Sequence, residues 1–242
     1  MKVIITKNYE EMSKVAGDIL AEQIKNNPES VLGLATGSTP IGLYKHLIEL
    51  NKKGIISFKT INTVNLDEYV GLEPTHDQSY RYFMNTNLFD HVDIDKNNTN
   101  VPSGIAKDFD AECERYENVI KNLGGIDIQL LGIGNNGHIG FNEPDDHFAK
   151  LTHVTGLTKI TIEANARFFE KENDVPTKAI SMGIKTIFGA KKILLVASGE
   201  SKAQTIFDTV NGEITPNVPA SILQLHSDVT IVCDEAAAKL LK

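Results

Sequence analysis

Short apolar runs alternate with helical patterns along the chain, and this alternation limits the possible folds more than any other feature. Residues 31–35, 61–66, 126–131, 193–197 and 229–233 each read as a buried strand. Apolar runs of this kind suit a parallel sheet covered on both faces. Amphipathic stretches lie between them. Tyr9, Met12, Val15, Ile19 and Ile24 keep helical spacing, behind Asn8 and Glu11 placed like a capping box. Phe109, Cys113, Tyr116, Ile120 and Leu123 form a second stripe that Gly124-Gly125 ends, and Ala203, Ile206, Phe207 and Val210 form a third that Gly212 closes. Strand and helix in alternation predict a doubly wound α/β fold. Ligands of such folds sit at the carboxyl ends of the strands, so the segments that follow the strands are the place to look for chemistry.

No Pro/Gly/Ser linker, repeat or low-complexity tract divides the 242 residues, which read as one domain, 1–242. Two polar stretches stand out, 95–100 and 142–153, the second long enough for a flap. The net charge of −8 and the lack of a Lys/Arg-rich run argue against nucleic acid. Arginine is scarce: Arg81, Arg115 and Arg167 are all there are. Cys113 and Cys233 sit in no CxxC pattern and suggest a reducing compartment. No apolar run approaches the core of a signal peptide or a membrane span. A cytoplasmic protein without membrane contact is expected.

Four segments after strands carry possible chemistry. In Ala35-Thr36-Gly37-Ser38-Thr39-Pro40, Gly37 permits a tight turn, a hydroxyl of Ser38 or Thr39 can cap a helix, and Pro40 suits its first position. Amides at such a helix start can hold a phosphate, though a plain capped turn has the same pattern. Asp67 and Glu68 close the 61–66 run. Strand alternation aims one carboxylate at the cleft, as a candidate base, and the other away; the alternative is that both cap the next turn in water.

Gly132-Ile133-Gly134-Asn135-Asn136-Gly137-His138 formally matches a dinucleotide fingerprint. It lacks the following helix start and the acid some twenty residues on, so that reading is rejected. The loop instead presents His138 and Glu143 as an acid/base pair, or His138 as a solvated loop residue. The histidines show no ligand spacing, and no metal is expected. Ser198-Gly199-Glu200-Ser201-Lys202 is a second possible anion cradle, with Lys202 in the first helical turn, where a cation opposes the helix dipole. Arg167 offers a fork to a phosphate or pairs with Glu163 or Glu170. Together these suit acid–base chemistry on a small phosphorylated metabolite.

The segments Leu34-Ala-Thr-Gly-Ser-Thr-Pro40, Asn65-Leu-Asp-Glu-Tyr-Val-Gly71, Gly132-Ile-Gly-Asn-Asn-Gly-His-Ile-Gly-Phe-Asn-Glu-Pro144 and Glu163-Ala-Asn-Ala-Arg-Phe-Phe169 closely resemble the glucosamine-6-phosphate deaminase family. The likeness extends to Val218-Pro-Ala-Ser-Ile-Leu-Gln-Leu-His226 and Cys233-Asp-Glu235. It implies a modified Rossmann-like fold with an open, mainly parallel sheet and helices on both faces. It also implies conversion of glucosamine 6-phosphate to fructose 6-phosphate and ammonia without an organic cofactor. Asp67 matches the enolisation base. His138 matches the ring-opening residue, with Glu143 and Asn136 as its partners. Thr36, Gly37, Ser38 and Thr39 match the phosphate loop, and Arg167 and Lys202 the charged phosphate ligands.

Position 136 is Asn where other members carry Asp; an amide there can fix the His138 tautomer but brings no charge, which shifts weight to Glu143. The chain also lacks the basic residues after His153 and the longer C-terminal tail of allosteric members. Activation by N-acetylglucosamine 6-phosphate and the accompanying hexamer are therefore not expected, and a monomer or small homo-oligomer is. The alternatives are a 6-phosphogluconolactonase-type hydrolase and a non-catalytic sugar-phosphate-sensing domain. The Asp67-Glu68-Tyr69 and Asn142-Glu143-Pro144 segments favour the deaminase over the first, and a strand at the very start of the chain disfavours the second.

Overall fold

A computed structural model describes residues 1–158, 162 and 175–241. Its strands are β1 (Lys2–Thr6), β2 (Val31–Leu34), β3 (Asn62–Asn65), β4 (Asp67–Tyr69), β5 (Thr99–Asn100), β6 (Ile128–Leu131), β7 (His153–Gly156), β8 (Lys178–Ser181), β9 (Lys192–Ala197) and β10 (Val229–Asp234). The helices are α1 (Tyr9–Asn26), α2 (Ile41–Lys52), α3 (Tyr80–Asn87), α4 (Phe109–Asn122), α5 (Ile184–Phe188) and α6 (Ala203–Asn211). Seven strands form one sheet in the order β1-β10-β9-β6-β2-β3-β5, and every pairing in it is parallel. Every residue of β2 and β6 is buried, so both faces of the sheet are covered, as their apolar sequences require. The result is an α/β fold with a mainly parallel central sheet flanked by helices.

Helix limits follow local chemistry. The Asn8 side chain accepts the Glu11 N–H at 2.9 Å, whereas the Glu11 carboxylate takes the N–H of Lys7 and not that of Asn8, so the expected box is shifted by one residue. Gly124 and Gly125, with φ of 83° and 90°, turn the chain out of α4 through a region closed to most side chains.

Sheet order sets where a ligand can go. From β2 the chain moves to β3 and β5 on one side; from β6 it moves to β9 and β10 on the other. Direction reverses between β2 and β6, and a crevice opens there at the carboxyl ends of the strands.

Two expectations need correction. Asp67 and Glu68 do not close β3: after Leu66 they begin β4, which joins β8 and β7 in a small antiparallel sheet. Pro40 precedes α2 as its cap residue and is not its first helical residue. The polar residues 95–100 contain the edge strand β5. The 142–153 stretch is tied at several points: Asp145 N–H to Pro216 O, Ala149 O to Ile184 N–H, and Thr152 through its N–H and hydroxyl to the Glu117 carboxylate. Both cysteines are free and buried. Among the described residues no helix is long and apolar enough to cross a membrane.

β2 and β6 meet closely because residue 33 is glycine. A β-carbon there would run into the carboxamide of Gln129, which is fully buried. Gly33→Ala is expected to cost roughly 1–3 kcal/mol by overpacking. In urea denaturation, the double variant Gly33→Ala/Gln129→Ala should lose less than the sum of the two single losses.

Candidate active site

Three neighbouring strands, β9, β6 and β2, deliver their following loops to one end of the sheet, and β4 enters beside β3. Alternation along β4 separates its two acids. Asp67 pairs across with Ser181 and is 6% exposed, and among the described residues no group donates a hydrogen bond to its carboxylate. Burial, with the neighbouring charge of Glu68 adding to it, pushes the Asp67 carboxyl up to about 8. Glu68 points the other way and accepts the backbone N–H of Tyr69, Tyr80 and Arg81 at 2.9, 2.8 and 2.9 Å, which caps the start of α3. Burial raises its carboxyl despite these bonds. Both acids are buried, so the alternative of two solvated capping carboxylates is excluded.

The glycine-rich loop frames both candidate catalytic groups. Gly134 N–H donates to His138 O at 2.9 Å, closing the loop on itself. The imidazole of His138 lies across Gly134, where a β-carbon would collide with it. Gly140, at φ 58°, passes over Asp67: a β-carbon there would lie 2.9 Å from Ser181 Oγ and 3.6 Å from Asp67 Oδ2. His138 Nδ1 lies 3.4 Å from Glu143 Oε2, a charge contact without hydrogen-bond geometry. Asn136 Nδ2 donates to that same oxygen at 2.6 Å, and Asn136 Oδ1 accepts the backbone N–H of His138 at 3.3 Å. Asn136 therefore does not hold the imidazole tautomer, as the sequence suggested; it holds Glu143. As a donor to Oε2, it fixes the Glu143 carboxylate beside the His138 ring.

The loop after β2 is open to solvent. Gly37 and Ser38 are exposed, and Thr36 and Thr39 half-buried. Gly37 has φ 94°. Among the described residues no hydrogen bond engages the hydroxyls of Ser38 or Thr39, and neither caps α2. The Tyr9 hydroxyl does that work, accepting the Gly42 N–H at 2.9 Å and donating to Ser38 O at 3.2 Å. Lys202 ends a short 3₁₀ turn (Glu200–Lys202) just ahead of α6 and is half-buried. The Thr205 hydroxyl ties α6 to Asn135 O at 2.7 Å. Two donors of the second possible cradle are engaged: the Ser198 hydroxyl and Gly199 N–H both bond to the Asp234 carboxylate. Arg167 lies outside the described residues, as does the 163–169 segment.

Sequence reasoning did not single out Tyr80. Its ring lies against Tyr69 at 4.7 Å between centroids and stacks on Phe141 at 6.0 Å with planes 4° apart, and its hydroxyl lies toward Thr36. It thus joins the loop after β2, β4 and the glycine-rich loop. Among the described residues the possible metal-ligating group is Asp145, Asp146 and His147, all exposed, and it includes neither Asp67 nor His138. A surface cleft of about 430 Å³ lies at the opposite end of the sheet, between Lys2, Gln23, Lys192 and Thr230, with no convergent acid/base pair.

The model of the glucosamine-6-phosphate isomerase/6-phosphogluconolactonase family matches residues 7–232. The chain belongs to this family. A glucosamine-6-phosphate deaminase of Clostridium perfringens (strain 13 / Type A) is 58% identical over 242 residues, covering 100% of both chains. One from Lachnoclostridium phytofermentans is 61% identical over 233 residues, 96% of this chain and 99% of that one. A solved monomeric glucosamine-6-phosphate deaminase superimposes with a TM-score of 0.97 at 50% identity, covering 99% of this chain and 100% of that one. A 6-phosphogluconolactonase from Trypanosoma cruzi shares the fold at 20% identity, with a TM-score of 0.78 and coverage of 100% and 97%. Within this family's fold, the loop after β6 passes beside Asp67, and α6, which follows β9, is tied to that loop through Thr205.

Burial of Asp67 has a stability signature. The folded chain holds that proton up to about pH 8, whereas an exposed Asp loses it near 3.8. Over that interval the folded state binds more protons than the unfolded state, so stability falls as pH rises. Asp67→Asn, which does not ionise, is expected to gain stability over the parent between pH 4 and pH 8, by up to about 5 kcal/mol. The advantage should vanish toward pH 4, as read from thermal melts across pH.

Proposed function

We propose that this single-domain chain converts glucosamine 6-phosphate to fructose 6-phosphate and ammonia, using its own side chains as acid and base. The observation that carries this reading is Asp67: a buried carboxylate, raised to about 8 and without a described donor, lies under the loop that presents His138 and Glu143. The name and near-complete coverage of the relatives support the same substrate.

The roles follow the chemistry. His138 takes the proton from O1 and returns one to O5, which opens the ring; Glu143 stabilises the imidazolium between those steps, and Asn136 orients Glu143. Asp67 then removes the proton from C2. The carbon–hydrogen electron pair becomes the C1–C2 double bond of the enolamine as the C1 carbonyl pair moves onto O1, which takes a proton from water; the Asp67 proton then returns at C1 to give a protonated ketimine. Water adds at C2, the carbon–nitrogen bond breaks, and ammonia leaves behind the ketone. A carboxylate held near 8 is a stronger base than an exposed one, which suits proton removal from carbon. Thr36, Gly37, Ser38, Thr39, Lys202 and Arg167 hold the phosphate. That end is remote from the bonds that change, so its binding energy serves to set C1 and C2 against Asp67. No metal or organic cofactor enters the scheme. We further place the protein in the cytoplasm, acting as a monomer like its solved relative or as a small homo-oligomer, with no nucleic-acid or membrane partner.

The test is ammonia release from glucosamine 6-phosphate by the purified chain without added metal or nucleotide. No release above a heat-killed control rejects the proposal, and turnover of 6-phosphogluconolactone in its place favours the hydrolase reading. kcat/KM is expected to rise with pH toward about 8 as Asp67 ionises. Asp67→Asn should retain sugar-phosphate binding and lose kcat by about 10²-fold or more. An unchanged kcat removes Asp67 from the base role.

A further inference from the structure

The chain carries a further buried carboxylate at the same end of the sheet that the scheme above does not use. Asp234 closes β10 and is 6% exposed. Its Oδ2 accepts the Ser198 hydroxyl at 2.5 Å and the Gly199 N–H at 3.1 Å; its Oδ1 accepts the Gly199 N–H at 3.0 Å and the Ala237 N–H at 2.8 Å. Among the described residues no Lys, Arg or His pairs with it. A buried charge without a counter-ion persists only when hydrogen bonds replace its lost water, and here donors from two segments do so.

The location of those donors gives Asp234 its consequence. Gly199 sits at φ 94°, in a region that other residues rarely adopt, and starts the turn that leads to Lys202. Lys202 N–H closes that turn on Gly199 O at 3.1 Å. One turn later the Thr205 hydroxyl pins α6 to Asn135 in the glycine-rich loop. The backbone of Lys202 is therefore held from two directions, by Asp234 through Ser198 and Gly199, and by the glycine-rich loop through Thr205. The same bonds occupy the Ser198 hydroxyl and the Gly199 N–H, and Lys202 is the cation of this loop. Lysine is a point charge on a flexible stem. Fixing its backbone is the means by which a fold lowers the entropy lost when it meets an anion.

We propose that Asp234 is a positioning residue for phosphate binding: its carboxylate holds the Ser198-Gly199 turn so that Lys202 faces the substrate phosphate. The inference rests on the phosphate reading of Lys202. The test uses inorganic phosphate as a competitive inhibitor of glucosamine 6-phosphate turnover, with KM and kcat measured alongside. Asp234→Ala should raise KM and the phosphate inhibition constant together by about threefold to tenfold, with KM carrying most of the loss in kcat/KM. Asp234→Asn, which retains an acceptor for the Gly199 and Ala237 amides, should lose less. Ser198→Ala removes one donor, spares the core, and should shift the same constants in the same direction by about twofold; it keeps the test decisive if Asp234→Ala does not fold.

The discriminating measurement is the double variant. Once Lys202 is Ala, removal of the Ser198 or Asp234 side chain should weaken phosphate little further. Independent, multiplying losses overturn the proposal, as does an inhibition constant unmoved in both the Ser198 and Asp234 variants. If Lys202→Ala by itself leaves phosphate inhibition unchanged, the phosphate reading of Lys202 fails and this inference falls with it.

Discussion

The parallel pairing of β2 with β6, through Leu32 with Ile128 and Gly33 with Gln129, is the contact on which the site depends. It joins two halves of the sheet that wind in opposite directions, and the loop after each strand must leave on its own side. The hydroxyls of Ser38 and Thr39 arrive from one half. His138, Glu143 and Lys202 arrive from the other. Gly33 permits the pairing because a larger residue would meet the buried Gln129 side chain. A change that pushes these strands apart would widen the crevice without touching a residue in it.

Around the crevice, similar side chains receive different chemistry from their surroundings. Asp67 and Glu68 are adjacent and both buried, yet three amides satisfy Glu68, whereas Asp67 has no described donor and rises to about 8. Glu68 completes a helix, whereas Asp67 is left without a donor. Asp234, another buried acid, spends its acceptors on a turn. In each case the number of donors within reach, and not the type of side chain, separates support from reactivity.

A tier of supporting side chains also stands behind the loops. The Tyr9 hydroxyl accepts the Gly42 amide of α2 and anchors Ser38. Tyr80 packs between Tyr69 and Phe141. Asn136 steers Glu143, and Glu143 lies beside His138. Loops alone would leave such groups free to wander; hydrogen bonds from neighbouring elements reduce that freedom and hold the groups near the geometry the reaction needs.

Much of this was legible in the linear chain because it depends on local rules. Apolar runs bounded by polar segments are strands wherever they occur, and apolar residues three and four apart are a helical face. The Asn8 and Gly124-Gly125 signals marked helix ends because capping is settled within a few residues. The loop motifs 36–39 and 132–143 and the acid at 67 likewise stood out from residue type and spacing. Relations between distant residues were not legible. That Asp67 starts a second sheet and faces Gly140, that Asn136 grips Glu143 and not the imidazole, and that Asp234 bonds the Ser198-Gly199 turn depend on contacts between residues as far apart as Asp67 and Ser181. The sequence by itself determined the alternating α/β architecture and which loops carry reactive groups. Only the tertiary structure decided which carboxylate is starved of donors, because a pKa depends on burial and neighbours in space, and these exist only once the chain has folded.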